Sequence, residues 1–137
     1  MKKIILSILT ISLLGTNLFS KDIKTINDVK EMVEESKTIL PRNMNTQMVL
    51  MGLSFDEKNK KLKYEISFIN LDKINLEMAD IRKILIESLK DNICPNKTTK
   101  ELFKLNINTI YNYSDKYGDY YYGEEVTPDF CELKNKE

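Results

Sequence analysis

The stretch Leu-Lys-Tyr-Glu-Ile-Ser-Phe, residues 62–68, alternates without interruption between apolar and polar side chains. Its apolar members are Leu62, Tyr64, Ile66 and Phe68, and its polar members are Lys63, Glu65 and Ser67. Strict alternation predicts a strand with one face buried. A polar turn, residues 56–61, precedes it, and a second alternating segment runs from Thr46 to Phe55 before that turn. We therefore predict a β-hairpin with a loop of about six residues.

Helical patterns lie on both sides of this hairpin. Upstream, Asn27 to Thr38 predicts a helix that Asn27 or Asp28 can cap and that ends before Pro41. Downstream, apolar residues at helical spacing predict a long helix from Asn75 to Asn92, which Cys94 and Pro95 end.

A second hairpin follows the long helix. Alternation from Leu105 to Tyr113 predicts a third strand, residues 114–119 carry turn chemistry with Gly118, and Tyr120 to Val126 predicts a fourth strand. The element order is helix, hairpin, helix, hairpin. The simplest packing is an α+β fold: a four-stranded antiparallel sheet with the long helix packed on one face and one disulfide.

The first 20 residues have the three zones of a secretory signal peptide. Lys2 and Lys3 are positive, Ile4 to Leu14 is apolar, and Gly15 to Asn17 breaks the apolar run. A permanent anchor is the alternative, but a membrane-spanning helix needs about 20 apolar residues. We predict cleavage after Ser20. Leu18, at the third position before the cut, is large for this position, so the exact bond is left open. The expected domains are a signal peptide (1–20), one α+β domain (21–131) and a polar tail (132–137), with no stable membrane anchor after cleavage.

The composition argues against several function classes. The chain has 21 basic and 21 acidic residues, no His and no Trp. The charges are interspersed, so we expect no nucleic-acid binding, which needs a basic surface. The lack of His removes His-based acid–base chemistry and most zinc sites. We expect no cofactor, no metal and no catalytic residues, because adjacent acids such as Glu124 and Glu125 diverge on a strand.

Two cysteines, Cys94 and Cys131, remain in the mature chain. In an exported chain an even number of cysteines predicts a disulfide. A redox pair and a metal site are the alternatives. A redox pair usually has C-x-x-C spacing, and a metal site would need more ligands. We therefore predict a structural Cys94–Cys131 bridge.

Six of the seven tyrosines lie between residues 111 and 122. Tyr120 and Tyr122 share one side of the fourth strand and Tyr121 takes the other, so some tyrosine surface should be exposed. Tyrosine is favoured at binding surfaces, although strands also favour aromatic residues for purely structural reasons. The candidate binding surface comprises Tyr111, Tyr113, Tyr120, Tyr121 and Tyr122.

The C-terminal stretch, residues 94–131, carries a spaced set of residues. They are Cys94, Leu102, Tyr111, Tyr113, Asp115, Gly118, Thr127, Pro128 and Cys131. This arrangement resembles a module of small exported bacterial proteins of unknown function. The resemblance implies export and the disulfide, and it implies no mechanism. Where the module usually has a glycine near the start of the strand, this chain has Asn106.

These observations favour a small binding or interaction protein that is periplasmic or secreted, with another envelope or extracellular protein as its partner. One alternative is a hydrolase of envelope polymers that uses carboxylates. The other is a structural accessory subunit of an envelope assembly.

Overall fold

The structure is a computed structural model that describes residues 22–135. The predicted signal peptide lies outside the described residues. The strands are β1 (Arg42–Asn43), β2 (Met48–Asp56), β3 (Lys61–Phe68), β4 (Asn108–Ser114) and β5 (Tyr120–Val126). The α-helices are α1 (Ile26–Ile39), α2 (Lys73–Ala79), α3 (Arg82–Ser88), α4 (Lys97–Lys104) and α5 (Pro128–Asn135), and a π-helical segment spans Leu89–Ile93.

The strands form one five-stranded mixed sheet in the order β1-β2-β3-β4-β5. Both predicted hairpins are present, because β2 pairs antiparallel with β3 and β4 pairs antiparallel with β5. The two hairpins, however, meet through a parallel β3–β4 pair in which Leu62 is opposite Thr109 and Ile66 is opposite Tyr113. The prediction of a four-stranded antiparallel sheet is therefore wrong.

The connection between β3 and β4 explains the error. It holds α2, α3, the π-helical segment and α4, and it is long enough to return the chain to the first end of β3. Alternation of side chains is the same in a parallel and an antiparallel strand, so the pattern in β4 carries no information on direction. The short β1 was missed because its two residues, Arg42 and Asn43, are exposed and show no alternation.

The predicted long helix from Asn75 to Asn92 is also wrong, since three segments occupy that stretch. Asp80 adopts a left-handed conformation (φ 47°) and ends α2. After α3, the Cys94 amide donates to the Leu89 carbonyl, five residues back, which is the π-helical spacing. The extra residue keeps Leu89 and Ile93 buried while the chain reaches Cys94.

Helix α1 begins one residue before the predicted start because Thr25, rather than Asn27 or Asp28, is its cap. The Thr25 hydroxyl accepts from the Asp28 amide, and the Asp28 carboxylate accepts from the Thr25 amide. This reciprocal pair is a capping box. The buried residues of α1 are Val29, Met32 and Ser36, and the helix packs on β2.

One side of the sheet, here called the covered face, packs against the helices. Its strand residues are buried, and they are Met48, Leu50, Leu53, Leu62, Tyr64, Ile66, Phe68, Thr109, Tyr111, Tyr113 and Val126. The Tyr64 and Tyr111 rings stack in parallel at 4.7 Å between β3 and β4. Residues on the other side are exposed or half-buried, and no described helix lies over them.

The predicted disulfide is present. Cys94 and Cys131 are bonded, with their Cα atoms 5.5 Å apart, and the bridge joins the end of the π-helical segment to α5. Asn106 has a φ of 61°, and asparagine tolerates this left-handed conformation better than most residues. Within residues 22–135, no helix has the length and apolar content needed to cross a membrane.

Candidate functional site

The five tyrosines of the candidate binding surface do not form one exposed surface. Tyr111 and Tyr113 are buried on the covered face. Tyr121 and Tyr122 are half-buried with their rings 6.4 Å apart. Tyr120 is 57% exposed on the opposite side of the sheet. The hairpin thus divides its tyrosines between the core and solvent.

The buried tyrosines are in their neutral form. Burial raises the pKa of Tyr64 to about 12 and raises the pKa of Tyr111 well above its usual value of 10. Burial likewise raises the pKa of Tyr113. A phenol in such surroundings does not ionise near neutral pH, so these residues serve packing rather than acid–base chemistry.

Tyr121 and Tyr122 lie at the edge of the helical layer. Tyr122 donates a hydrogen bond to the Glu124 carboxylate. Burial and this carboxylate together raise the pKa of Tyr122. Burial also raises the pKa of Tyr121, against the opposing influence of the Arg82 guanidinium. The pair closes the covered face beside α3.

The turn between β4 and β5 is held by the carboxylate of Asp115, which is 1% exposed. It accepts from the amides of Tyr117 and Asp119 within the turn, both at 2.8 Å, and from the Lys73 amide at the start of α2 at 2.9 Å. Burial raises the pKa of Asp115, but the donated amides outweigh burial and lower it overall. Asp115 therefore fixes the conformation of the turn, on which Tyr117 is exposed.

The side of the sheet opposite the helices, here called the open face, includes a row that crosses four strands. The row is Gly52, Glu65, Asn112 and Gly123. The Asn112 amide donates to the Glu65 carboxylate at 3.1 Å. A Cβ on Gly123 would lie 2.6 Å from both the Tyr120 hydroxyl and the Asn112 Oδ1 atom. Tyr120 can therefore lie over this strand because residue 123 has no side chain.

A groove of about 400 Å³ lies at the turn end of the open face. Its lining side chains are Met51, Glu65, Ser67, Ser114, Lys116 and Tyr117. Met51 is 50% exposed and Tyr117 is 72% exposed, and the Lys116 ammonium lies 5.1 Å from the centre of the Tyr117 ring. The groove thus combines two exposed apolar side chains with one carboxylate and one ammonium.

The other end of the open face carries a fixed ion pair. Lys61 binds Glu125, and the Asn108 amide donates to the same carboxylate at 3.2 Å. Within residues 22–135, no group of three or more acidic or cysteine residues is placed to hold a metal ion. This face therefore presents charged, hydrogen-bonding and apolar groups.

Sequence reasoning missed most of this face. Met51 lies at a register shift in β2 and is half exposed, which the alternation in residues 46–55 did not indicate. Glycines within strands, here Gly52 and Gly123, are a signal that could have marked the face, since such glycines often mark close approach of another group.

Comparison with solved structures identifies one similar fold. A crystal structure from Pseudomonas aeruginosa, described as that of a candidate secreted protein, superposes with a TM-score of 0.63 at 18% identity, covering 77% of this chain and 90% of that one. At this identity the likeness shows the fold alone. No protein-family model and no curated protein matches the sequence.

Proposed function

We propose that this chain is an exported binding protein that holds another envelope or extracellular protein against its open face. The predicted leader, the Cys94–Cys131 bridge and the fold shared with a candidate secreted protein support export. The observation that carries the binding role is the one-sided covering of the sheet, which leaves Met51, Tyr117 and Tyr120 exposed on one surface.

The chemistry of the open face suits a protein partner. Tyrosine and methionine are enriched at the centres of protein interfaces, where they contribute large contact areas. Glu65, Asn112 and Lys116 supply hydrogen-bonding groups around them. Gly52 leaves the backbone of β2 uncovered by a side chain, whereas Gly123 gives room to Tyr120 and Asn112 of the chain itself.

A photo-reactive residue at position 120 or 117 tests the proposal in intact cells. We expect each to give one discrete cross-linked product, whose partner is then identified and purified. The same residue at position 78 is the control, because Met78 is 80% exposed but lies on α2. Equal products from positions 78 and 120 would argue for nonspecific contact.

The affinity of the purified partner provides the second measurement. We expect Tyr117→Ala with Tyr120→Ala to weaken binding by at least about tenfold, as for interface anchors. The matched control is Ile74→Ala with Met78→Ala, which removes two exposed apolar side chains from α2. An unchanged affinity in the tyrosine variant would exclude the open face as the binding surface.

A further inference from the structure

The edge of the sheet at β2 is unpaired along most of its length. β1 covers only Val49 and Leu50, opposite Asn43 and Arg42. From Gly52 to Asp56, β2 pairs with β3 on one side, and no described strand pairs with it on the other. An unpaired strand presents a row of free backbone donors and acceptors, which can pair with another chain.

This segment has few of the features that usually protect an edge, since its one charged residue is Asp56 at its end. Gly52 to Asp56 contains no Lys and no Pro, and the register shift of β2 lies before it, between Leu50 and Gly52. The opposite edge, β5, also contains no Lys and no Pro, but it is more acidic and its register shift falls within the strand. It carries Glu124 and Glu125, and its pairing with β4 is irregular. Charges and irregular pairing are how natural sheets discourage edge contacts.

A groove of about 530 Å³ runs between this edge and α1. Its apolar lining consists of Val33, Leu53 and Phe55. The charges at its rim are paired within the chain, since Lys30 binds Glu57 at 2.7 Å and Lys37 binds Glu34 at 2.8 Å. An occupant would therefore meet a neutral rim, an apolar wall and free backbone groups.

The edge is complementary to itself in the antiparallel direction. With Ser54 opposite its own copy, Leu53 would lie opposite Phe55 and Gly52 opposite Asp56. Apolar residues then face apolar residues on the groove side, and no carboxylate faces a carboxylate, an arrangement that like charges would disfavour. Without Lys2 and Lys3 of the predicted leader, the chain has 19 basic and 21 acidic residues, so the net repulsion between two copies is weak.

From this juxtaposition we infer that a second copy of the chain pairs with β2, giving a two-fold dimer with a continuous ten-stranded sheet. Phe55 of each copy enters the groove beside α1 of the other. The two-fold relation uses the same surface on both copies, so the assembly closes at two chains. The open face lies on the side of the sheet away from α1 and stays accessible in both copies.

Analytical ultracentrifugation of the chain that begins at Lys21 tests the inference, over about 1 to 500 μM. We expect a monomer–dimer equilibrium. Ser54→Lys and Ser54→Glu each place like charges across the two-fold axis, and each should weaken dimerisation by at least about tenfold. Because the Ser54 side chain is exposed, both variants should keep the wild-type circular dichroism spectrum.

A mixture of the two variants provides the decisive measurement of whether residue 54 faces its own copy. An equimolar mixture of Ser54→Lys and Ser54→Glu should recover the dimer, because opposite charges then face each other. Asn70→Lys adds the same charge at an exposed residue away from the edge and should leave the dimer unchanged. The Tyr117→Ala, Tyr120→Ala variant should also dimerise normally, which separates this inference from the proposed function.

Three results would overturn the inference. They are a wild-type monomer throughout the concentration range, a dimer that both Ser54 variants leave intact, and a mixture that does not recover. The chain could instead be a monomer in which the Gly52–Asp56 amides gain protection from hydrogen exchange only when an extended peptide is added. That result would show that the edge binds the peptide and not a second copy.

Discussion

The two faces of the sheet use the same residue type for opposite purposes. Tyr113 is 1% exposed on the covered face, whereas Tyr120, on the neighbouring strand, is 57% exposed on the open face. The difference arises from the pleat and from the register shift between Tyr113 and Ser114. A tyrosine-rich run is therefore not in itself a binding surface, because strand geometry assigns each ring to the core or to solvent.

The largest expected effect is the difference in the free energy of unfolding between a truncation of Tyr113 and a truncation of Tyr120. Tyr113→Ala should lower the free energy of unfolding by about 3–5 kcal/mol, as for other large aromatic truncations in a core. Tyr120→Ala should lower it by about 0.5 kcal/mol or less, because its ring is exposed. Urea denaturation measures both. Tyr113→Phe, which keeps the ring, should lose far less than Tyr113→Ala, and similar losses at positions 113 and 120 would contradict the comparison.

The disulfide tests whether the helices that cover one face need a covalent tie. Cys94→Ala with Cys131→Ala should cost about 2–4 kcal/mol, since the bridge closes a loop between residues 37 positions apart. Reduction of the wild-type protein should lower Tm by about as much as the double substitution does. The double variant treated with the same reductant is the control, because it has no disulfide and reports only the effect of the reagent. Identical melting of oxidised and reduced wild-type protein would show that packing alone holds α5.

The stability that the turn between β4 and β5 contributes should depend on pH through Asp115. Because the folded-state pKa of this carboxyl is lowered, its contribution is present above the unfolded pKa of about 3.9 and is lost as pH falls through the folded value. Asp115→Asn replaces one acceptor with a donor, so at pH 7 it should lower Tm by several degrees.

The difference in Tm between wild type and Asp115→Asn should shrink as pH falls from about 5 to about 2. Glu87→Gln, at an exposed position, is the control and should show a small difference throughout. A difference between wild type and Asp115→Asn that stays constant over this range would rule out the carboxylate charge as the source of stability.

The smallest expected effect concerns the two glycines of the open face. Gly123→Ala places a Cβ 2.6 Å from the Tyr120 hydroxyl and should displace that ring at a cost of about 1 kcal/mol. Gly52→Ala meets nothing closer than 3.9 Å and is the matched control. Nitration of Tyr120, followed by mass spectrometry, should change for Gly123→Ala only. Equal nitration in both variants would show that residue 123 does not position Tyr120.

Local patterns predicted the parts of the fold that depend on neighbouring residues. The alternation in residues 62–68 predicted β3 and its buried side, because a pleated strand orients successive side chains in opposite directions. The Asp115 to Gly118 turn and the Cys94–Cys131 bridge were likewise predictable, since each follows from residue chemistry and export. The candidate binding surface of five tyrosines was predicted from their closeness in sequence, and the structure divides these residues between the two sides of the sheet.

By itself, the sequence determined two hairpins, a helical connection between them and one disulfide, because spacing, turn chemistry and cysteine count are properties of the chain alone. Only the tertiary structure decided that β3 and β4 run parallel, that the predicted long helix breaks at Asp80, and which side of the sheet stays open. Those outcomes depend on where a long connection returns the chain and on which surfaces the helices can bury together. Both are decided by the packing of distant segments, and alternation within one strand cannot report them.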